Sequence, residues 1–302
     1  MSATELAAGA RTSYLAARHL VLILLVIVVW AFNFIVVRAS VEEMPPILLT
    51  GLRFTLVAAL LLPFARRPER MGPVIGVAIS MGILHFICMF TAMGSGAPVA
   101  PLAIIAHLNV PISSALAAVF LGDRMGPWRM GGMALAIFGV AIMSFEPAVL
   151  TYASAMLLAL AAALFWAMGN VQAKYYGITD VLGLNAYMAL FSAPPLLILS
   201  LLIEPGSAAS ITEATWRGWL GVAYMGIMVT VFGYTVWFTL IQRYSVNVVT
   251  PWILLTPCVV ALMGWWFLNE PLTWRIATGG LIALIGVGVV VIRRPQYADR
   301  AT

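Results

Sequence analysis

The sequence predicts an all-α membrane protein in which ten transmembrane helices form two inverted five-helix repeats. Three observations predict this fold class: the composition, ten apolar segments of bilayer-spanning length, and a similarity between the two halves. Of the 302 residues, 63% are apolar and 9% are charged, whereas a soluble protein carries roughly 25% charged residues. A soluble fold would lack the polar residues to cover its surface, so the whole chain is predicted to be one membrane unit.

Clusters of charged residues, Pro and Gly separate the apolar segments. Each segment is near the roughly 20 residues that cross about 30 Å of hydrocarbon as a helix. The first is too long for the apolar core of a cleavable signal peptide, so residues 1–18 are predicted to form a cytoplasmic tail. Segments 1 to 10, as they are numbered here, cover residues 19–38, 46–65, 74–94, 98–121, 128–146, 151–173, 183–203, 216–241, 246–268 and 273–292.

The basic residues predict how the segments are oriented, because cytoplasmic loops carry an excess of Lys and Arg. With a cytoplasmic N-terminus, twelve basic residues lie on the cytoplasmic side and three on the opposite side, while Arg53 lies inside segment 2. Both chain ends, including a tail at 293–302, are therefore predicted to be cytoplasmic, and the basic charge gives no reason to expect nucleic acid as a partner. The three residues on the opposite side are Arg38, Arg217 and Arg275.

The two halves of the chain, 19–146 and 151–292, resemble each other with a period of about 145 residues. In both halves a proline precedes a Trp-Arg pair by 17 residues. Each half has five segments, an odd number, so the second copy enters the membrane from the opposite face. Inverted repeats recur in secondary transporters, and chance similarity between apolar helices is the alternative. The matching residues are Trp30-Ala31 with Asn33 and Trp166-Ala167 with Asn170, then Pro111 with Trp128-Arg129 and Pro257 with Trp274-Arg275.

The end of the first repeat, from Pro111 to Leu121-Gly122-Asp123-Arg124, fits the Pro…Leu-Gly-Glu-Arg pattern of EamA-type permeases with Asp for Glu. Gly51-Leu52-Arg53-Phe54 matches another recurrent feature, while Asn269-Glu270-Pro271 departs from the pattern. The chain thus resembles these permeases of the drug/metabolite transporter superfamily over nearly its whole length. The resemblance implies a bacterial inner-membrane protein with a central cavity lined by segments 1, 3, 4, 6, 8 and 9. The aromatic-rich composition resembles exporters of aromatic amino acids and metabolites.

The acidic residues restrict the chemistry, because all eleven lie in loops, tails or segment ends. Proton-coupled transporters commonly use a carboxylate inside the membrane, so the sequence favours a carrier that follows its gradient. An enzyme is disfavoured, because no Ser/His/acid set lies within the segments and no Cys/His cluster has metal-ligand spacing. No catalytic residue, metal or cofactor is predicted.

Two histidines are titratable at membrane depth, His85 in segment 3 and His107 in segment 4. Each is predicted either to line the cavity or to bond a neighbouring helix. Met89 shares a helix face with His85, which suits a site for bulky apolar groups or plain packing. Arg53, about 10 Å into segment 2, is expected to snorkel to the interface. Its alternative is to attract a carboxylate at the cavity mouth.

Other polar and aromatic side chains at membrane depth are candidates for the cavity wall. Tryptophans there can stack on aromatic substrates or cations, or pack against helices and lipid. Amides there need partners, which can be a neighbouring helix or the substrate. The candidates are Trp30, Trp166 and Trp252, then Asn33 and Asn170, then Tyr234 and Thr256.

Prolines pair up in the corresponding segments 4 and 9, as Pro101 and Pro111 and as Pro251 and Pro257. Each removes a backbone hydrogen bond and is predicted to act as a hinge or to free carbonyls for substrate. The glycines of segments 5 and 10 predict close helix contact, within the chain or in a dimer.

The sequence therefore predicts a carrier that exports neutral, aromatic amino acids and related metabolites by alternating access. Its partners are a small-molecule substrate and the lipid bilayer, with the chain a monomer or weak homodimer. The alternatives are a multidrug exporter, a nucleotide-sugar carrier or a membrane-embedded enzyme. A nucleotide-sugar carrier needs several basic residues in the cavity, and only Arg53 is available.

Overall fold

The computed structural model describes residues 16–121, 126–243 and 250–292, which are helical with no strand in these ranges. Helices are expected, because the bilayer core offers no water to satisfy backbone groups. The predicted tails, except residues 16–18, and Gly122-Asp123-Arg124 lie outside the described residues. Seven helices are long and apolar enough to cross a membrane: Ala17–Ser40, Pro46–Phe64, Met71–Gly94, Val99–Phe120, Ala153–Tyr175, Val181–Ile203 and Trp216–Trp237.

Segments 5, 9 and 10 contain shorter apolar helices, Met130–Met143, Thr256–Leu268 and Trp274–Val289. The shortest of these, Thr256–Leu268, has thirteen residues and rises only about 20 Å, which is less than the thickness of the hydrocarbon core. The full count of ten spans therefore remains a prediction. The first-half helices are Ala17–Ser40, Pro46–Leu61 with the 3-10 turn Leu62–Phe64, Met71–Val77, Ala78–Leu84, His85–Gly94, Val99–Ala106, Asn109–Phe120 and Pro127–Ser144. The others are Pro147–Thr151, Ala153–Tyr175, Val181–Ile203, Ser207–Glu213, Trp216–Ala223, Tyr224–Tyr234, Thr235–Arg243, Thr250–Leu255, Thr256–Leu268 and Trp274–Ile292.

Segments 3 and 8 each contain a π-helix, Ala78–Leu84 and Tyr224–Tyr234. A π-helix shifts the hydrogen-bond register and leaves carbonyls free for other donors, which is why it is frequent at functional sites. The two π-helices occupy corresponding places in the two halves. Nothing in the sequence pattern predicted them.

Segments 4 and 9 change helix geometry just before one of their predicted hinge prolines. Segment 4 breaks at His107 and resumes two residues before Pro111, and segment 9 passes from a 3-10 helix to an α-helix one residue before Pro257. All four prolines lie in the first turn of a helix, where a missing N–H breaks no hydrogen bond. Only at Pro111 and Pro257 does that helix follow directly on another helix of the same segment in the described residues. The interruptions are therefore at Pro111 and Pro257.

The segments pack in pairs. Segment 5 packs against segment 10, segment 2 against segment 7, segment 1 against segments 8 and 9, and segment 6 against segments 3 and 4. The first pair depends on glycine: a Cβ on Gly132 would lie 2.8 Å from the Gly286 carbonyl oxygen, and one on Gly279 would lie 2.7 Å from the Gly139 carbonyl oxygen. These glycines thus bring two helices of the same chain together.

Carboxylates cap helices across the two halves. Glu204, at the end of segment 7, accepts hydrogen bonds from the backbone N–H groups of Ile47 and Leu48 at 2.9 and 3.0 Å. Glu270, after segment 9, accepts from the Val99 N–H at the start of segment 4. The first N–H groups of a helix lack partners and carry partial positive charge, so each carboxylate stabilises a helix start.

Two further carboxylates of the first half contact the starts of helices in the second half. Glu43, after segment 1, accepts from the N–H groups of Thr215 and Gly218 at 3.0 Å each. The hydroxyl of Thr215 also donates to Glu43 and lowers the pKa of its carboxyl below the ordinary value. Glu146, between the halves, accepts a 2.8 Å hydrogen bond from the hydroxyl of Thr273 before segment 10. These contacts hold the two halves together at this end of the bundle.

Candidate functional site

Two aromatic pairs join the halves in the middle of the bundle. The ring of His85 in segment 3 lies 4.8 Å from that of Trp166 in segment 6, and the ring of Trp30 in segment 1 lies 5.7 Å from that of Tyr234 in segment 8. All four side chains are partly accessible although they lie between helices. Each pair brings together a candidate from either half.

The His85 ring has a defined tautomer. Its Nδ1 lies 2.8 Å from the carbonyl oxygen of Ala162, and a carbonyl can only accept, so Nδ1 carries the proton. In neutral His85, Nε2 is then an acceptor. The ring also makes an edge contact with Phe86, at 4.7 Å between centroids.

Arg53 lies between the two aromatic pairs. Its side chain is 2% exposed, and its Nη2 donates to the Thr230 hydroxyl at 2.9 Å. Its guanidinium also hydrogen bonds to Tyr234 and lies 4.6 Å from the centre of the Phe86 ring. The expectation that Arg53 snorkels is wrong, because its side chain runs into the bundle to reach segments 3 and 8.

Contacts connect these residues continuously, from Trp166 through His85 and Phe86 to Arg53, and from Arg53 through Tyr234 to Trp30. Segments 1, 2, 3, 6 and 8 all contribute. The group is called the central cluster and consists of Trp30, Arg53, His85, Phe86, Trp166, Thr230 and Tyr234.

The π-helix of segment 8 holds segment 1 against the cluster. The Trp30 indole N–H donates to the carbonyl oxygen of Val229 in this π-helix at 3.2 Å. The Tyr224 hydroxyl donates in the other direction, to the Val29 carbonyl oxygen at 2.9 Å. Trp30 also packs 5.4 Å from Trp237. The carbonyls and hydroxyls of the π-helix thus fix the orientation of Trp30.

His107 lies apart from the central cluster, at the break in segment 4. It is buried, and its Nδ1 lies 2.8 Å from the carbonyl oxygen of Ala103 in the preceding turn. Its ring also lies against the backbone of Ile253 in segment 9. Thr256, in the same segment, is buried with no partner for its hydroxyl among the described residues. His107 therefore joins segments 4 and 9 at their two interruptions.

The remaining candidates are spread over other environments. Met89 is buried in the main hydrophobic core, and Asn170 is exposed. Trp252 packs in a smaller apolar group with Trp237. Asn33 is half-buried, and its Oδ1 has no partner among the described residues. The structure does not bring these four side chains into the central cluster.

An apolar crevice opens elsewhere, between segments 4, 5 and 6. Its volume is about 570 Å³. None of the described residues that line it is polar, so they offer nothing to pair a charged or zwitterionic ligand. Its walls are formed by Ile105, Leu108, Pro111, Ile112, Met133, Ile137, Val140, Val149, Leu150, Ala153, Met156, Leu157 and Leu160.

Sequence reasoning missed Phe86 and Thr230 and gave Arg53 the wrong surroundings. Phe86 and Thr230 carry no signal, because each is an ordinary residue in an apolar segment. The signal at Arg53 was its position, since a charge two turns inside an apolar helix marks a functional site by default.

Comparisons with known proteins agree with this architecture. The EamA-like transporter family matches twice, over residues 18–145 and 153–292. A crystal structure resembles the chain with a TM-score of 0.62 at 20% identity, covering 91% of this chain and 96% of its own, which shows a shared fold.

Two curated relatives are similar over most of their length. A protein of Escherichia coli K12 named "Probable amino-acid metabolite efflux pump" is 32% identical over 282 residues, covering 90% of this chain and 94% of its own. A protein of Streptantibioticus cattleyicolor named "Probable terminal-alkyne amino-acid exporter" is 26% identical, covering 89% and 91%. With two family matches along one multi-pass chain, this protein belongs to the EamA-like transporter family and is a membrane transporter, not an enzyme.

Proposed function

We propose that this transporter exports neutral amino acids, aromatic ones in particular, and related small metabolites by alternating access. The observation that carries the proposal is the central cluster, in which His85 with Trp166 and Trp30 with Tyr234 place aromatic rings from both halves around one point. Aromatic rings of this kind can stack on the side chain of an aromatic substrate. The names of the two relatives, which mention amino acids, support the same substrate class.

The mechanism rests on ten spans in two inverted repeats, each a five-segment half. The pairing of segments supports this arrangement. Segments 1, 3 and 4 of the first half correspond to segments 6, 8 and 9 of the second, and segment 1 packs against segments 8 and 9 just as segment 6 packs against segments 3 and 4. The π-helices in segments 3 and 8 and the breaks before Pro111 and Pro257 correspond in the same way. A site between two such halves can open to either side as one half rocks against the other.

The transporter is proposed to be a facilitator. Among the described residues, no Asp or Glu lies within the helix of any segment. A carboxylate at membrane depth is the usual group that loads and releases a coupling proton. Its absence from these helices supports transport down the substrate gradient.

The charges and the relatives support the proposed placement in the cell. Twelve basic residues against three support cytoplasmic chain ends, and the bacterial relatives support the inner membrane. The glycines of segments 5 and 10 are used within the chain, which supports a monomer or at most a weak homodimer.

Counterflow in proteoliposomes tests the function. Vesicles with purified protein are loaded with one unlabelled amino acid and given the same labelled compound outside, across a panel of aromatic, aliphatic, acidic and basic amino acids. We expect transient accumulation of label for the aromatic and other neutral compounds. Accumulation for the charged amino acids alone, or for none of the panel, would contradict the proposal.

A multidrug carrier is the second candidate, because the apolar crevice between segments 4, 5 and 6 suits a lipophilic compound better than an amino acid. Counterflow of a neutral lipophilic compound that is abolished by Met133→Trp in this crevice, and unaffected by Trp166→Ala, would favour it.

A further inference from the structure

Arg53 is a buried cation whose charge no carboxylate among the described residues balances. Its side chain is 2% exposed in the middle of the bundle. An ionised group removed from water costs several kcal/mol unless an opposite charge or a full set of hydrogen bonds compensates it. An ionisable residue inside an apolar bundle marks a functional site by default, and a ligand of opposite charge would balance it.

The carboxylates of the described residues are engaged elsewhere. Glu43, Glu146, Glu204 and Glu270 contact helix starts at one end of the bundle, and Asp180 caps its own helix. Those that remain among the described residues, Glu42, Glu69 and Glu213, are exposed. None of them faces Arg53.

The contacts that Arg53 does make are neutral. Thr230 and Tyr234 offer hydroxyl groups, and Phe86 offers the face of its ring. The Arg53 Nε has no hydrogen-bond partner among the described residues. A guanidinium carries five N–H donors in a rigid fork that fits a carboxylate with two parallel hydrogen bonds. Nε with its neighbouring Nη is one such pair of donors.

We infer that Arg53 binds the carboxylate of the transported molecule, so that this carrier requires a free carboxyl group beside an aromatic or apolar side chain. The inference rests on the proposed function and names the chemistry of its site. Arg53 lies over Phe86, which packs against His85 of one aromatic pair, and it hydrogen bonds to Tyr234 of the other. A carboxylate on Arg53 places the adjoining side chain next to one of these aromatic pairs, where stacking and apolar burial stabilise it.

If Arg53 binds the substrate carboxylate, aromatic compounds should be transported at rates that depend on whether they carry a carboxylate. Phenylalanine and 3-phenylpropionate keep the carboxylate, phenylalaninamide replaces it with a neutral amide, and phenethylamine lacks it. In counterflow with the wild type, we expect the two carboxylates to be transported at least about tenfold faster than the amide and the amine. Equal transport of phenylalanine and its amide would overturn the inference and leave the proposed function standing.

Variants then localise the requirement. Arg53→Gln removes the charge and should lower transport of both carboxylates by about tenfold or more while changing the amide less, and Arg53→Lys, which keeps the charge without the fork, should be intermediate. Arg217→Gln removes an exposed cation from the start of segment 8 and should match the wild type. An equal loss for all four compounds in Arg53→Gln would mark a structural role and overturn the inference.

A binding measurement decides the matter if wild-type protein transports none of these compounds, a result that contradicts the proposed function. Thermal unfolding of purified wild type is followed with each of the four compounds. A higher Tm with the two carboxylates, and not with the amide or the amine, supports the role of Arg53. Equal shifts or no shift with all four would overturn it.

Discussion

Both carboxylate oxygens of Glu270 accept the backbone N–H of Val99, at 3.0 and 2.9 Å, across 171 residues of sequence. The carboxylate of Glu270, in the loop after segment 9, therefore caps the first turn of segment 4. Burial raises the pKa of Glu270 above its ordinary value, and the N–H groups of Val99 and Ala100 and the charge of Arg38 oppose that shift. A buried carboxyl in this position therefore holds its proton more tightly than an exposed one.

The raised pKa of Glu270 makes the stability of the protein depend on pH. Because the pKa of Glu270 is higher in the folded protein than in the unfolded chain, protonation of Glu270 stabilises the folded state. This stabilisation is complete at a pH below the ordinary pKa and is lost as the pH rises through the raised pKa. We expect the Tm of the wild type to fall in that window relative to Glu270→Gln, which does not titrate. Thermal unfolding across a pH series measures this, with the exposed carboxyl variant Glu42→Gln as the control. Parallel curves for wild type and Glu270→Gln would contradict the prediction.

The aromatic pair of His85 and Trp166 should determine selectivity. His85→Ala and Trp166→Ala each remove one ring of the pair, and an aromatic contact is worth about 0.5–1.5 kcal/mol. We expect the preference for aromatic over aliphatic amino acids in counterflow to fall by roughly 2- to 12-fold. Trp266→Ala removes an exposed tryptophan instead and should keep the preference. The same change in all three variants would show that the pair has no special role.

The packing of segments 5 and 10 should depend on Gly139. A Cβ there would lie 2.5 Å from the Gly279 carbonyl oxygen and 2.8 Å from the Ala283 Cα, both backbone atoms that cannot rotate away. Gly139→Ala is expected to cost about 1–3 kcal/mol of stability. Gly131→Ala is the matched control, because a Cβ at Gly131 meets nothing within 4 Å. Tm values of purified protein measure both, and equal values would contradict the close-packing account.

The lack of a carboxylate within the described segment helices predicts how transport responds to protons. We expect an imposed pH gradient, with equal substrate on both sides of the vesicle, to drive no net flux. A substrate gradient at equal pH should drive flux. Substrate accumulation that follows the pH gradient would refute the facilitator mechanism, and the proton site would then have to be sought at His85.

The sequence predicted the course of the chain well, because apolar length and charge placement are local properties. Segment 1 was expected over 19–38 and its helix covers Ala17–Ser40, and segment 7 was expected over 183–203 and its helix covers Val181–Ile203. The pairing of His85 with Trp166 required the fold, because side chains 81 residues apart in sequence meet only when segments 3 and 6 pack.

Arg53 shows where sequence reasoning fails. An arginine near the start of an apolar helix normally reaches back to the interface. Its actual partner Thr230 is 177 residues away, on a π-helix whose register no periodicity indicates. The prolines were recognised as breaks, but only the structure shows that the helices of Pro111 and Pro257 follow directly on another helix of the same segment.

The central claim is that one site between the halves opens to both sides of the membrane. Replacing His85 by Cys, in a chain with Cys88→Ser and Cys258→Ser, places a single thiol in the central cluster. A membrane-impermeant thiol reagent is then added to either side of oriented vesicles, with Val57→Cys, a fully buried position on segment 2, as the unreactive control. We predict labelling of His85→Cys from both sides. Labelling from one side only, with Val57→Cys unlabelled, would contradict alternating access at this site.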